Sequence, residues 1–285
     1  MENDISALVT VDWLAHNLGS LGLTILDASF HLPAAGRDDR AEYEAAHIPG
    51  ARFLDLASLT DKASPVPAAL PSPPQLAERL AGLGWSKGDR IVIYDDSAVK
   101  TSARAWFALK AHGIDEVAIL DGGLAQWRAK GCALESGAPD SAPAKPSALD
   151  APQRVVTKSD VLEIIASGSD QILDARSADR VFGTGVDPVH GGQNGRIPGA
   201  RNVPFGEVFT ADGTFKSPDE LRTLFEKAGI DLEKPIVTTC GSGVTAAVLL
   251  FALHLAGVEM SRLYDGSWQE WSADPALPKL QGPEK

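Results

Sequence analysis

The sequence predicts an α/β fold made of two tandem domains, each a parallel sheet flanked by helices on both faces. One observation behind this prediction is a set of short motifs that occurs twice in the same order. Another is the alternation of short apolar runs with amphipathic segments in both halves. The third is length, because 285 residues exceed one ordinary domain and are enough for two domains with separate cores.

The repeat begins with Ile-Leu-Asp-Ala, which occupies residues 25–28 and again residues 172–175. Three further motifs recur in order: Ile-Pro-Gly-Ala-Arg at 48–52 and 197–201, Ile-Val at 91–92 and 236–237, and Asp-Gly followed by a tryptophan at 121–127 and 265–271. A repeat of this length indicates two globular domains rather than a solenoid of short units. We expect an N-terminal domain at 1–136 and a C-terminal domain at 153–285.

A stretch rich in proline and alanine lies between the two halves. The segment 137–147 has no apolar periodicity, and we interpret residues 137–152 as the linker.

Strand and helix signals alternate along each half. The apolar runs 90–94 and 117–120 predict strands, and the amphipathic segments 103–111 and 123–129 that follow them predict helices. In the second half, Thr157 opens one helix. Another is predicted after Ser217, where Pro218 and Glu220 supply a proline at the first position and a capping box.

Composition and charge exclude several classes of function. Hydrophobic residues make up 44% and charged residues 22% of the chain, and no apolar run approaches the length of a membrane span. The net charge of -12 argues against nucleic acid or an anionic membrane as a partner. The acidic segment 1–4 lacks the basic and apolar regions of a secretory signal, so we expect a cytoplasmic protein.

The two cysteines, Cys132 and Cys240, form neither a C-x-x-C motif nor a disulfide framework. We interpret Cys132, which follows a predicted helix, as structural. No spacing in the sequence points to a metal site or an organic cofactor. Any thiol chemistry therefore uses one cysteine at a time.

Cys240 leads a short loop between a predicted strand and a predicted helix. The apolar run 235–239 precedes it, and the run 244–253 follows Gly241, Ser242 and Gly243. Small residues let backbone N–H groups turn toward one point, where the helix N-terminus adds positive potential, so an anionic sulfur is stabilised. A buried structural cysteine is the alternative. The Gly-Ser-Gly sequence offers it no packing partner, which favours a reactive nucleophile.

The two copies differ at this position. Aligning residues 91–94 with 236–239 places Asp95 opposite Cys240, and the loop 95–100 carries negative charge. We therefore expect one active site per chain, in the second domain. The alternative is two sites with different chemistry.

Together these residues resemble the tandem-domain rhodanese sulfurtransferases, and the loop at 240–245 is similar to that of the 3-mercaptopyruvate sulfurtransferases among them. The resemblance implies two rhodanese-like domains, the first inactive. It also implies that sulfur passes from 3-mercaptopyruvate to Cys240 as a persulfide, releasing pyruvate. Cyanide or a thiol, such as a reduced small thiol or a thioredoxin-like protein, then accepts the sulfur. Thiosulfate as donor, and a persulfide carrier without turnover, remain alternatives.

The resemblance also implies donor-binding residues. Family members that use mercaptopyruvate hold its carboxylate and keto oxygen with two arginines, of which Arg180 matches the first. The second falls near Val189 and His190, so His190 or Arg196 is the candidate substitute.

The loop residues Gly241, Ser242, Gly243, Val244 and Thr245 complete the expected donor site. Ser242 is placed to hydrogen-bond the donor sulfur or the departing enolate. Thr245 either caps the helix or contacts the donor directly. Thiosulfate-preferring relatives carry Arg-Lys in place of Gly241 and Ser242.

This chain differs from two patterns found in related proteins. Some family members carry a His and an Asp in the first domain that relay to the active-site loop, but the matching positions here are Ala68 and Ala57. A phosphatase of the same fold needs an arginine six residues after the cysteine, where this chain has Ala246.

Overall fold

A computed structural model describes residues 5–137, 139, 142–190 and 192–282 of the chain. These residues form two compact units, each built around one five-stranded sheet. All pairings between the named strands are parallel.

The first unit alternates strands and helices. Its strands are β1 (Leu8–Val9), β2 (Leu23–Asp27), β3 (Arg52–Phe53), β4 (Arg90–Tyr94) and β5 (Val117–Leu120). Its helices are α1 (Val11–Asn17), α2 (Asp39–Ala45), α3 (Pro73–Gly82), α4 (Ser102–Ala111) and α5 (Gly123–Ala129), with a short 3-10 helix at Pro33–Ala35. The strand order is β1-β5-β4-β2-β3.

The second unit repeats this arrangement. Its strands are β6 (Val155–Val156), β7 (Gln171–Asp174), β8 (Arg201–Asn202), β9 (Ile236–Thr239) and β10 (Ser261–Tyr264). Its helices are α6 (Lys158–Ser167), α7 (Ala178–Phe182), α8 (Pro218–Lys227), α9 (Val244–Leu255) and α10 (Ser267–Ala273), with a 3-10 helix at Phe205–Val208. The order β6-β10-β9-β7-β8 is that of the first sheet, which confirms the duplicated unit and the predicted fold class.

The core of the second unit positions the cysteine loop. Strand β9 lies in the middle of the sheet between β10 and β7, and all four of its residues are buried. Helix α9 is buried from Ala246 through Leu253, as expected for a helix that is apolar on every face. The loop 240–243 is therefore held between two of the most buried elements of its unit.

The predicted helix starts are confirmed. The Oγ atom of Ser217 accepts from the N–H of Glu220, and the Glu220 carboxylate accepts from the N–H of Ser217 at 3.0 Å. Pro218 is the first residue of α8. Thr157 caps α6 in the same reciprocal way, with Asp160 in the place of glutamate.

The predicted linker is irregular where it is described. Residues 142–153 contain no helix or strand. The N–H groups of Ala144 and Gln153 donate to carbonyls of α3 and α4, those of Ala81 and Ala111, at 2.8 Å each. The linker residues Ala138, Asp140 and Ser141 lie outside the described residues, and the domain boundaries at 136 and 153 stay predictions.

Within the described ranges, the helices are all too short or too polar to cross a lipid bilayer.

Candidate active site

Cys240 follows β9 directly, at the carboxyl end of the central strand, as predicted. Its side chain is buried. The carbonyls of Cys240 and Gly241 accept from the N–H groups of Trp268 and Gln269, both at 2.9 Å. These donors belong to the first turn of α10, where N–H groups have no partner within the helix. The first turn of α10 thus holds the backbone of Cys240 and Gly241 in place.

Ser267 adds a side-chain contact to this arrangement. Its Oγ atom accepts from the N–H of Cys240 at 3.2 Å and donates to the carbonyl of Tyr264 at 2.9 Å. The N–H of Cys240 is therefore already used. The N–H groups left to stabilise an anionic sulfur of Cys240 are those of Gly241 and the residues after it.

The rest of the loop leads into α9. Gly243 is the N-cap with φ of +80°, a conformation that glycine adopts without strain, and its cap has no side-chain hydrogen bond. Ser242, Val244 and Thr245 are half-buried. Thr245 lies inside the first turn of the helix, so the predicted capping role for it is wrong because Gly243 occupies that position. Contact between Thr245 and the donor stays a prediction.

The imidazole of His190 lies directly against the loop at Gly241. A Cβ atom added at Gly241 would lie 2.7 Å from Nδ1 and 3.0 Å from Nε2 of His190, and still nearer to Cε1. Real Cβ atoms do not approach other atoms so closely, and only glycine fits beneath the ring without displacing it.

Arg180 and His190, both predicted as donor-binding residues, are brought together. The Nη2 atom of Arg180 lies 3.1 Å from Nδ1 of His190. Each side chain keeps some exposure, 14% for Arg180 and 17% for His190. The other candidate, Arg196, is engaged elsewhere: its Nη1 atom donates to the carbonyl of Gly282 at 2.7 Å, and its guanidinium lies 4.8 Å from the ring centre of Phe182. The structure thus places His190, not Arg196, beside Arg180.

The buried carboxylate of Asp187 holds this pair in place. Its Oδ2 atom accepts from Nη2 of Arg180 at 2.7 Å, and its Oδ1 atom accepts from the N–H groups of Val189 and His190 at 2.8 and 3.2 Å. Burial by itself raises the pKa of Asp187, but the hydrogen bonds and the charge of Arg180 outweigh it and lower the pKa below its usual value. Asp187 is therefore a carboxylate that orients Arg180 and the backbone of His190.

A second pair of side chains, Asp174 and Arg176, is fully buried and lies next to Asp187. Arg176 donates to Asp174 at the end of β7, with Nη2 at 2.7 Å from Oδ2, and to the carbonyl of Gly195 at 2.7 Å. Its guanidinium lies 4.7 Å from a ring centre of Trp268 and its Nη1 atom 3.7 Å from Asp187. Arg176 thereby links the loop that carries Asp187 to Trp268 in α10.

The charges around His190 set its protonation. Burial, followed by the positive charge of Arg180, lowers the pKa of His190 below its ordinary value. Asp187 acts in the opposite direction, and Arg176 adds to the lowering. At neutral pH the imidazole is uncharged.

Three residues of this site, Asp187, Arg176 and Ser267, were not predicted from the sequence. A comparison of the two copies of the repeat points to Ser267, because the first copy has Gly123 at the matching position and the second copy has a serine instead. For Arg176 the signal was its place two residues after a strand that ends in aspartate. Asp187 lies in a loop that has no periodic sequence pattern, so its conformation could not be predicted from the sequence.

The first unit has a carboxylate where the second has the thiol. Asp95 is buried, and its Oδ1 and Oδ2 atoms accept from the N–H groups of Ser97 and Ser102 at 2.8 Å each. Ser102 begins α4, so the carboxylate occupies the anion-binding end of that helix. This arrangement explains why an anionic donor is not expected to bind there.

This fold and site define a class of tandem α/β proteins that carry one loop cysteine at the end of a central parallel strand. The rhodanese-like domain profile matches the chain twice, at residues 10–130 and 157–274. The chain therefore belongs to the rhodanese family.

Individual relatives agree along nearly the whole length. The chain is 41% identical over 271 residues to 3-mercaptopyruvate sulfurtransferase of Mus musculus, covering 93% of this chain and 91% of the mouse protein. It is 37% identical over 285 residues to thiosulfate sulfurtransferase of Cricetulus griseus, covering 97% and 96%. The crystal structure of SseA from Escherichia coli, a 3-mercaptopyruvate sulfotransferase with the rhodanese fold, superposes with a TM-score of 0.84 at 38% identity, covering 93% of this chain and 99% of SseA.

Proposed function

We propose that the protein is a sulfurtransferase that moves sulfur from 3-mercaptopyruvate through a Cys240 persulfide to a thiol or cyanide. The observation that carries this proposal is the group formed by Arg180, His190 and Gly241 beside the cysteine loop. A guanidinium of the kind that binds carboxylates and an uncharged hydrogen-bond donor lie beside Gly241, the residue that follows the proposed nucleophile. The identity of about 40% to relatives named for this activity supports it.

The first half-reaction forms the persulfide. The Cys240 thiolate attacks the sulfur of mercaptopyruvate, an S–S bond forms, and the C–S bond breaks with its electron pair passing to the carbonyl as the enolate of pyruvate. The proton that leaves the donor thiol ends on the enolate carbon. The helix N-terminus of α9 and the N–H groups that follow Cys240 stabilise the anionic sulfur that remains.

The second half-reaction restores the enzyme. An acceptor thiolate or cyanide attacks the outer sulfur, the S–S bond breaks, and Cys240 leaves as thiolate. No second thiol is needed, which agrees with Cys132 and Cys240 both being free. The chain carries no redox motif that would discharge the persulfide into a disulfide.

Donor binding divides between charge and hydrogen bonds. Arg180 offers its guanidinium to the carboxylate, as a planar fork suited to that group. Ser242 offers its hydroxyl to the donor sulfur or to the departing enolate. The remaining loop residues, from Gly241 to Thr245, supply backbone N–H groups and space.

Thiosulfate as the preferred donor is the second candidate, and the hamster relative named for it gives reason to test it. A dianion calls for positive charge in the loop, but a side chain at Gly241 would overlap His190. This contact favours mercaptopyruvate. A third candidate, a carrier loaded by a protein partner, predicts no turnover with either small donor.

We propose an acceptor and a compartment that suit the same chemistry. A reduced small thiol or a thioredoxin-like protein would accept the sulfur. Two free cysteines agree with a reducing compartment, and we propose the cytoplasm.

Steady-state assays test the proposal directly. The purified protein is given 3-mercaptopyruvate or thiosulfate at matched concentrations, with cyanide and then dithiothreitol as acceptor. We expect kcat/KM to favour mercaptopyruvate and pyruvate to appear in equal amount to transferred sulfur. Preference for thiosulfate would reverse the donor assignment, and absence of turnover with both would favour the carrier.

A further inference from the structure

The hydrogen bond between Arg180 and His190 determines which nitrogen of the imidazole carries the proton. A guanidinium has only donors, so Arg180 Nη2 donates and Nδ1 of His190 accepts at 3.1 Å. An accepting Nδ1 carries no hydrogen. The neutral ring therefore has its proton on Nε2, which becomes its single donor.

The groups around the ring favour this neutral form. Arg180 on α7 contacts Nδ1, and the more distant Arg176 is also positive. Asp187 is the one acidic group acting on the ring in the described part of the chain, and its Oδ1 atom is 3.9 Å from Nδ1 and already accepts two backbone N–H groups. The active-site loop places uncharged Gly241 against the ring, and the anionic sulfur of the proposed reaction belongs to the preceding residue, Cys240. Protonating Nδ1 would replace an acceptor facing Arg180 with a second positive donor.

We propose that His190 acts as a neutral electrophile, whose Nε2–H donates to the keto oxygen of the sulfur donor and to the enolate oxygen that forms from it. This inference rests on the proposed function and assigns the donor contacts within it. Arg180 binds the permanent negative charge of the carboxylate. His190 binds the oxygen on which negative charge develops as the C–S bond breaks.

The proton remains on Nε2 throughout the step. An imidazole that gave up its proton would become an imidazolate, so the ring stabilises the enolate by hydrogen bonding and does not protonate it. Neutral histidine has this role in triosephosphate isomerase, the worked case of an imidazole that polarises a carbonyl. Since such a contact strengthens as the enolate forms, it acts on kcat more than on KM.

Three substitutions of His190 separate a neutral donor from a positive charge. In His190→Gln the amide oxygen accepts from Arg180 and the amide nitrogen donates, which reproduces the neutral ring. In His190→Lys a cation replaces it and no acceptor faces Arg180. In His190→Ala both contacts are lost.

We expect His190→Gln to keep kcat with mercaptopyruvate within about fivefold of the wild type. His190→Ala and His190→Lys should lose about 100-fold or more in kcat, the usual effect of removing a donor to a developing oxyanion. Thiosulfate has no keto oxygen, so the loss of its turnover in His190→Ala should be at least about tenfold smaller than the loss with mercaptopyruvate. Protonation of His190 at low pH should lower kcat of the wild type more steeply than kcat of His190→Gln, which has no imidazole.

Higher kcat in His190→Lys than in His190→Gln would overturn the neutral electrophile and show that charge is what the position supplies. Equal loss with thiosulfate and mercaptopyruvate in His190→Ala would indicate a purely structural role and would overturn it too. Wild-type protein that does not turn over mercaptopyruvate would overturn the proposed function, and this inference with it. Thermal unfolding of each variant shows whether a loss in rate reflects misfolding.

Discussion

The backbone N–H of Cys240 donates to Ser267 Oγ at 3.2 Å, and Ser267 holds a left-handed conformation with φ of +50°. In the first copy of the repeat the same position is Gly123, with φ of +58°. A left-handed conformation costs a non-glycine residue about 1 kcal/mol. The second copy therefore carries a strained serine where the first copy has an unstrained glycine, and the hydroxyl of this serine binds the backbone of Cys240.

Ser267→Ala and Ser267→Gly separate the hydroxyl from the strain. Both variants leave the buried N–H of Cys240 without its acceptor, at a cost of about 1–3 kcal/mol. Only Ser267→Gly also relieves the backbone, by about 1 kcal/mol. Urea denaturation should therefore find Ser267→Gly more stable than Ser267→Ala. Equal free energies of unfolding would contradict the role assigned to φ.

Asp95→Ala should destabilise the protein without slowing sulfur transfer. Removing the carboxylate leaves the N–H groups of Ser97 and Ser102 without acceptors, which costs about 1–3 kcal/mol for each buried group that finds no water. The expected result is a lower midpoint in urea with unchanged kcat. A large loss of kcat in folded protein would contradict the expectation of one active site per chain.

Arg180→Ala should raise KM for mercaptopyruvate, and it should also lower kcat because it removes the donor that keeps the proton of His190 on Nε2. A hydrogen bond to a charged group contributes about 1.5–3 kcal/mol, which corresponds to a roughly 10- to 150-fold change in KM. Lys234→Ala is the matched control, because it removes an exposed cation from the same unit. An unchanged KM in Arg180→Ala would show that the carboxylate binds elsewhere.

Asp187 gives the stability a defined dependence on acid. Its pKa is lowered in the folded protein, so its contribution is present above the unfolded value near 3.8 and is lost as the pH falls through the folded pKa. Asp187→Asn should therefore flatten the fall of unfolding free energy below pH 4 and cost about 3 kcal/mol at pH 7, since it leaves Arg180 and Arg176 without their shared carboxylate. Urea titrations from pH 7 to pH 3 measure both. An acid limb as steep as in the wild type would rule out Asp187 as its source.

Gly241 and His190 should show strong coupling in a double-mutant cycle. Gly241→Ala alone forces the added Cβ into the imidazole, whereas His190→Ala vacates that space. The loss of stability caused by Gly241→Ala should therefore be smaller in the His190→Ala background by more than about 0.5 kcal/mol. Additive free energies would mean that the ring moves aside without cost.

The sequence was sufficient for the fold and for the place of Cys240 at the end of a central strand. Repeated motifs predicted the duplicated sheet, and local patterns predicted β9, the loop at Cys240 and the cap at Ser217, because hydrophobic periodicity and capping chemistry act over a few residues. The contacts that hold Arg180, His190 and Cys240 in place depend on long-range packing instead. Asp187 reaches Arg180 across a loop with no periodic pattern, and Ser267 reaches Cys240 from another element 27 residues away.

Thr245 shows where local reasoning failed. A threonine near a helix start is a common cap, but Gly243, in its left-handed conformation, ends the loop two residues earlier. Which of His190 and Arg196 lies beside Arg180 also could not be predicted from the local sequence. The answer depends on the hydrogen bond from Arg196 to the carbonyl of Gly282, which lies far along the chain.

Intact mass spectrometry of the protein before and after 3-mercaptopyruvate tests the central claim most directly, with Cys240→Ser and Cys132→Ser as matched variants. The account predicts a gain of one sulfur atom in the wild type and in Cys132→Ser, its complete absence in Cys240→Ser, and its removal by cyanide. A sulfur gained by Cys240→Ser, or turnover that persists without Cys240, would contradict it.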